Sequence, residues 1–292
     1  MNISQKLHRG TFILGILIFT TSLISALFFS YPHFYTWFAF GGWLILDWID
    51  YHKNKKSILG YFYNHKHRRT FLLFFIISTI TAFIIDYIYG VRLSGMWEWP
   101  AYSNIHFIRM YTIMNISYIL SMYELYRVIH TYLKPFVSSN YHINFKLHHH
   151  IKKIFNISGI IMGVIFLSLP LLSWYTKETS HMKYLMIMPF IGMWLSSDSI
   201  TSMLRGKSIL GEILRGNKLQ IVTLVITVLS ASLFTEIINL SAHEWVYKYM
   251  PFENLQIFKI PVAVFVGWTP LVIGVIALLN MIKHVENIKS KS

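Results

Sequence analysis

Lys56-Ser57-Ile58-Leu59-Gly60 recurs letter for letter as Lys207-Ser208-Ile209-Leu210-Gly211, 151 positions later in a chain of 292 residues. In each copy the serine stands ten residues after an aspartate, and the aspartate four after a tryptophan: Trp43, Asp47 and Ser57, then Trp194, Asp198 and Ser208. Spacing that repeats outside the identical letters points to a duplicated unit. Working outward, Gly15 aligns with Gly163, and Leu23-Ile24-Ser25 with Leu171-Leu172-Ser173. Downstream, Asp86 aligns with Glu236, Trp97-Glu98-Trp99 with Trp245-Val246-Tyr247, and Phe107 with Phe258. The halves 1–145 and 146–292 are therefore expected to be two copies of one unit.

Composition says what that unit is made of. Apolar residues make up 54% of the chain and charged residues only 13%, about half the charge of an average soluble domain. The apolar residues fall in runs such as 12–30, and about 20 such residues in a helix cross the hydrocarbon of a bilayer. Eight spans are expected, at roughly 11–30, 34–51, 70–89, 105–132, 154–175, 183–203, 218–240 and 259–283. Lys6 and Arg9 precede the first run as in a signal peptide, but the run is longer than a signal core and no small-x-small site follows, so it reads as a retained span. Four spans per copy is an even number, so both copies enter from the same side. The expected fold is all-α, with eight transmembrane helices as two parallel four-helix repeats about an axis along the membrane normal.

A formal charge of +14 with 26 Lys and Arg invites a nucleic-acid reading, which the distribution of charge opposes. With the N-terminus placed inside, 20 of the 26 lie on the inner side; the other six are Arg92, Arg109, Lys177, Lys183, Lys248 and Lys259. That excess sets both termini in the cytoplasm of a cell (inner) membrane protein. Its partners are expected to be membrane lipids and a small-molecule or lipid substrate, with no nucleic acid. The absence of cysteine excludes disulfides and thiolate metal sites.

Ionisable groups within membrane spans are costly and are functional candidates. Asp47, Asp50 and Asp198 fall at the inner ends of spans and read as neutralising or capping groups for the basic loops. Ser57 and Ser208 read as N-caps of short helices. Glu124 and Arg127, three residues apart on one helical face, are expected to pair and to contact substrate. Arg109 is expected to snorkel. The outer ends carry the sharper pattern. Asp86 is followed by Trp97 and Trp99; Glu236 is followed by Asn239, Trp245 and Tyr247. Interfacial aromatics explain the rings but not the acids. An acid beside aromatic faces can bind a cation, or protonate an alkene and stabilise the carbocation. Asp86 and Glu236 are the candidate catalytic acids, with Trp97, Trp99, Asn239, Trp245 and Tyr247 as substrate-binding residues.

The histidines of the inner loops, His65, His67, His148, His149 and His150, lack the HxxxH and HxxHH spacings of di-iron membrane oxygenases, and no metal is expected. Neither a Gly-rich phosphate loop, nor GxSxG, nor HExxH is present, and no cofactor is expected.

The second copy reads Trp194-x3-Asp198, Gly206 to Leu210, Glu236-Ile237-Ile238-Asn239, Trp245 to Pro251 and Phe258-Lys259-Ile260-Pro261. This resembles a group of uncharacterised prokaryotic polytopic membrane proteins with a tandem W…D…SLL…ExxN…WxYxxP pattern. The first copy departs from it, with Asp86 and Tyr89 in place of the Glu and Asn. A fainter similarity links the chain to small membrane carotenoid enzymes, the fused lycopene cyclases and carotenoid hydratases. The P-x-E-E element of those cyclases is missing, since Val262-Ala263 follows Pro261, and no residue role carries over. The expected function is the handling of a lipid or isoprenoid-like molecule, with enzymatic use of the outer acids. The alternative is a transporter or channel whose pathway runs between the repeats.

Overall fold

The computed structural model describes residues 3–63, 67–138, 149–176 and 182–289. Its apolar runs are helices, the form that satisfies backbone N–H and C=O groups within one segment, as hydrocarbon requires. In the first half, α1 (Ile3–Phe29) and α2 (Phe34–Asn54) lead to the short α3 (Ile58–Tyr63). Next comes α4 (Arg68–Ala82), continued by a π-helical stretch, Phe83–Leu93. The strand β1 (Trp97–Glu98) precedes α5 (Asn104–Arg109), a second π-helical stretch, Met110–Met114, and α6 (Asn115–Leu133). The second half runs α7 (His149–Tyr175), α8 (Met182–Leu185), α9 (Met188–Met203), α10 (Ile209–Leu214) and α11 (Lys218–Ala242). Strands β2 (Val246–Tyr247), β3 (Gln256–Ile257) and β4 (Ile260–Pro261) then lead into α12 (Val262–Lys289).

Among the described residues, five segments are long and apolar enough to cross a membrane: Leu7–Phe29, Arg68–Leu93, His150–Tyr175, Lys218–Ala242 and Val262–Glu286. The protein is an all-α, multi-pass membrane protein. The remaining expected spans, 34–51, 105–132 and 183–203, are also helical but less apolar. They hold buried polar side chains: Asp47 and Asp50 on α2, Asn115 and Glu124 on α6, Asp198 and Thr201 on α9. Helices such as α1 and α7 instead expose leucines and isoleucines, among them Leu17 and Ile161. An outward apolar face suits lipid, and a polar residue belongs where protein can bond it.

The chain forms two compact units. The first comprises Met1–Asp86, Trp97–Val128 and Ser230–Lys248; the second comprises Tyr87–Met96, Ile129–Leu229 and Tyr249–Ser292. Within the first, α1 and α2 cross at glycines: a Cβ on Gly41 would lie 2.6 Å from the Phe19 nitrogen and 2.9 Å from the Gly15 oxygen. Within the second, α7 and α9 cross the same way, a Cβ on Gly192 falling 2.6 Å from the Gly163 oxygen. Small residues let membrane helices approach this closely.

The KSILG motifs start the short helices. Asp198 accepts from the Ile209 N–H at 2.6 Å and the Leu210 N–H at 2.7 Å, and Ser208 Oγ accepts from the Gly211 N–H at 3.1 Å. In the first unit, Leu59 N–H donates to Asp47 at 2.7 Å and Gly60 N–H to Ser57 Oγ at 3.1 Å, but Ile58 N–H goes to Glu124 at 2.6 Å. The orphan amides of each helix start are thus met by a carboxylate and a serine.

Candidate functional site

Three carboxyl groups of the first unit sit among aromatic donors. Asp86 lies in the π-helical stretch after α4 and accepts from Trp97 Nε1 at 2.9 Å and from the Tyr111 hydroxyl at 2.6 Å. Tyr111 lies in the other π-helical stretch, Met110–Met114. The wider π turn is uncommon and recurs at functional positions, and here one such turn bonds the other. Glu236, near the end of α11 and 1% exposed, accepts from the Tyr247 hydroxyl at 2.7 Å; that hydroxyl in turn accepts from Trp245 Nε1 at 3.0 Å. Burial first, and the Glu236 charge second, hold the Tyr247 phenol well above its usual pKa, so it stays a donor.

The third acid is Glu244, fully buried in the loop after α11. It accepts from the Tyr35 backbone N–H at 2.7 Å and from the Tyr102 hydroxyl. Burial pushes its carboxyl up to about 8, against the pull of those two bonds and of Arg109. Neither Asp86 nor Glu244 forms an ion pair among the described residues; Lys248 pairs with Glu98 at 2.6 Å.

The loops close over these acids. β1 and β2 pair antiparallel, Trp97 opposite Tyr247 and Glu98 opposite Val246. Trp97 and Tyr247 each stand eleven residues after the acid they bond, so the register relating the two acids is 150, two more than the Trp97–Trp245 alignment. Ring contacts continue through Trp99, 5.3 Å from Trp245 and 5.0 Å from Tyr102 between centroids, and through Tyr35, 5.1 Å from Trp245. Asn239 holds the turn: its Oδ1 accepts from Glu244 N–H at 3.0 Å and Trp245 N–H at 3.2 Å, and its Nδ2 donates to the Trp245 carbonyl at 2.9 Å. Asn239 is thus bound to backbone and shapes the loop that carries Glu244 and Trp245.

Of the candidate residues, Asp86, Glu236, Trp97, Trp99, Asn239, Trp245 and Tyr247 gather at this end. Glu124 and Arg127 do not. They lie on α6, 13 residues or more beyond Tyr111, about 20 Å along a helix. There Arg127 binds Asp50 at 2.7 Å, closer than the 3.8 Å that separates it from Glu124. His8 lies 3.4 Å from Asp47, completing a buried cluster beneath α3. Desolvated carboxylates draw in such partners. Arg109, expected to snorkel, is half-buried; its Nε and Nη2 are buried without hydrogen-bond partners.

Among the described residues no group of three or more His, Asp or Glu is placed to hold a metal. His65 and His148 lie outside the described residues, as does the His149 side chain. Comparison with protein-family models, with curated proteins and with solved structures finds no match.

Proposed function

We propose that the protein handles a lipid or isoprenoid-like molecule in the membrane, with the carboxyl–aromatic cluster of Asp86, Glu236 and Glu244 as its working site. One observation carries this reading: each acid accepts a hydrogen bond from an aromatic donor, namely Trp97 and Tyr111, Tyr247, and Tyr102. A carboxyl group held by neutral donors keeps access to both of its protonation states. In its acid form it can protonate an alkene, and the ring faces around it stabilise the cation that results. Asp86 and Glu236 act as proton donors in this reading, while Trp97, Trp99, Trp245 and Tyr247 face the chain of the substrate. The eight-span arrangement in two halves, with both termini inside a cell membrane, belongs to the same proposal. The paired glycine crossings, the paired Asp and Ser caps and the eleven-residue spacing from acid to ring donor support it.

The test compares total lipid extracts of cells expressing wild-type protein, Asp86→Asn and Glu236→Gln. Both substitutions keep shape and remove the titratable proton. A lipid or isoprenoid that accumulates or vanishes in the Glu236→Gln cells, with the variant still folded and inserted, is the expected result. Identical extracts count against the enzymatic reading.

The transport reading is favoured by a different observation. A second set of buried carboxylates, Asp47, Asp50 and Glu124, occupies the opposite end of the same unit. Acids at both ends of a membrane segment suit a proton-coupled path. Reconstituted vesicles that acidify only with wild-type protein, and not with Glu124→Gln, would favour transport.

A further inference from the structure

Arg109 carries two buried donor atoms that no acceptor meets. Its Nε and Nη2 are buried and bond to nothing, and no ion pair reaches it among the described residues. Tyr102 is a side-chain hydrogen-bond partner of the half-buried guanidinium, but buried donors such as Nε and Nη2 that meet no acceptor are costly, because they lose the hydrogen bonds of water and gain none. Two further ring nitrogens nearby are in the same condition, His33 Nδ1 and Trp99 Nε1. His33 stacks on His106 at 4.2 Å and lies 5.1 Å from Tyr102, while Trp99 lies 5.0 Å from Tyr102, centroid to centroid. His106 precedes Arg109 by three residues on α5, hence on the same helical face. The Ser103 N–H donates to His106 Nδ1 at 3.1 Å, which leaves the proton of a neutral His106 on Nε2, another donor.

We propose that Arg109, His33, His106 and Trp99 form a recognition site for a phosphate group, presented by the head of the lipid or isoprenoid-like substrate. The unmet Nε and Nη2 of Arg109 and Nε1 of Trp99 call for an oxyanion with several lone pairs, and phosphate meets a guanidinium with two parallel bonds. Arg109 stands one residue before the π-helical stretch that carries Tyr111, so a phosphate held there would place the attached chain beside the Asp86 acid. The neighbouring carboxyl does not cancel the site: with its titration pushed up to about 8 by burial, Glu244 is mostly neutral near pH 7. His33, in contrast, is held below its usual value, by burial first and then by His106 and Arg109. It enters neutral, and donates from Nδ1 in the tautomer that carries its proton there.

This site rests on the proposed handling of a lipid-like molecule, but its test reads head-group binding and not any change in the lipid, so the acid chemistry can fail without it. Purified protein in a neutral detergent is titrated calorimetrically with dihexanoyl phosphatidic acid, with geranyl phosphate and with inorganic phosphate. Saturable binding of either organic phosphate is expected, weakened about tenfold or more in Arg109→Gln and less in Arg109→Lys, which keeps the charge but loses the fork. Trp99→Phe, which removes one donor and keeps the ring, weakens it to a smaller extent. Inorganic phosphate binding as tightly as the organic phosphates, with the same dependence on Arg109, would support the anion site and assign it to free phosphate. No saturable binding by any of the three, or equal binding by wild type and a folded Arg109→Gln, overturns the proposal.

Discussion

Ionising Glu244 away from water costs more than its bonds from Tyr102 and the Tyr35 N–H return, which is why its carboxyl titrates near 8 in the fold and near 4.3 in an unfolded chain. Between those values the folded protein holds a proton that the unfolded chain releases. Stability from this group is therefore fully present below about pH 4.3 and lost as pH rises through about 8. The melting temperature of the purified protein should fall across that window, and Glu244→Gln should flatten the fall. A wild-type profile that rises with pH over the same range would contradict the burial argument. Asp86 and Glu236 were legible as candidates because an acid within an apolar run is conspicuous. Glu244 was not singled out, since an acid in a loop costs nothing until tertiary packing buries it. The phenols of Tyr102 and Tyr111 were equally hidden, because tyrosine near a span end reads as an interfacial belt.

The paired KSILG elbows have a simple energetic content. Asp198 meets two backbone amides at the start of α10 and Ser208 meets a third, so Asp198→Ala should cost about 2 kcal/mol and Ser208→Ala about 1 kcal/mol. Chemical denaturation of the detergent-solubilised protein measures both, and a neutral Asp198→Ala would remove the capping account. The glycine crossings make a stronger demand. A side chain at Gly41 or Gly192 would meet backbone atoms at 2.6 Å, and backbone cannot step aside as a flexible side chain can. Gly41→Val and Gly192→Val should each destabilise by roughly 2 kcal/mol or more; Gly10→Ala, with nothing within 4 Å of its Cβ, should not. Helix positions were legible because apolar runs of membrane length announce themselves. The π-helical stretches around Asp86 and Tyr111 were not, since a change from four-residue to five-residue hydrogen bonding leaves the apolar pattern almost untouched. Trp97 matches Trp245 by letter, whereas the strand pairing sets it opposite Tyr247, which bonds Glu236 as Trp97 bonds Asp86.

For the molecule as a whole, the excess of Lys and Arg on one set of loops predicts both termini inside. Ala101→Cys and Asn254→Cys, exposed in their loops, should react with an impermeant maleimide added to intact cells, and exposed Lys56→Cys should not. The opposite pattern would invert the orientation, and the chain has no cysteine of its own to confuse it. The capping serines and aspartates were readable from KSILG outward, because Asp47 with Ser57 and Asp198 with Ser208 stand at the same spacing. The make-up of the compact units was not: Ser230–Lys248 belongs to the first and Tyr87–Met96 to the second, and periodicity along one helix does not record which neighbour it packs on. That placement of Ser230–Lys248 is what brings Glu236 and Glu244 into one unit with Asp86, and it underlies the functional reading. Mass spectrometry of the lipids that purify with the protein tests this reading most directly. The account predicts one lipid or isoprenoid species, close to one per chain, retained by wild type and depleted or chemically altered in Glu236→Gln of equal thermal stability. Recovery of bulk membrane lipids alone, in the same proportions from both proteins, would contradict it.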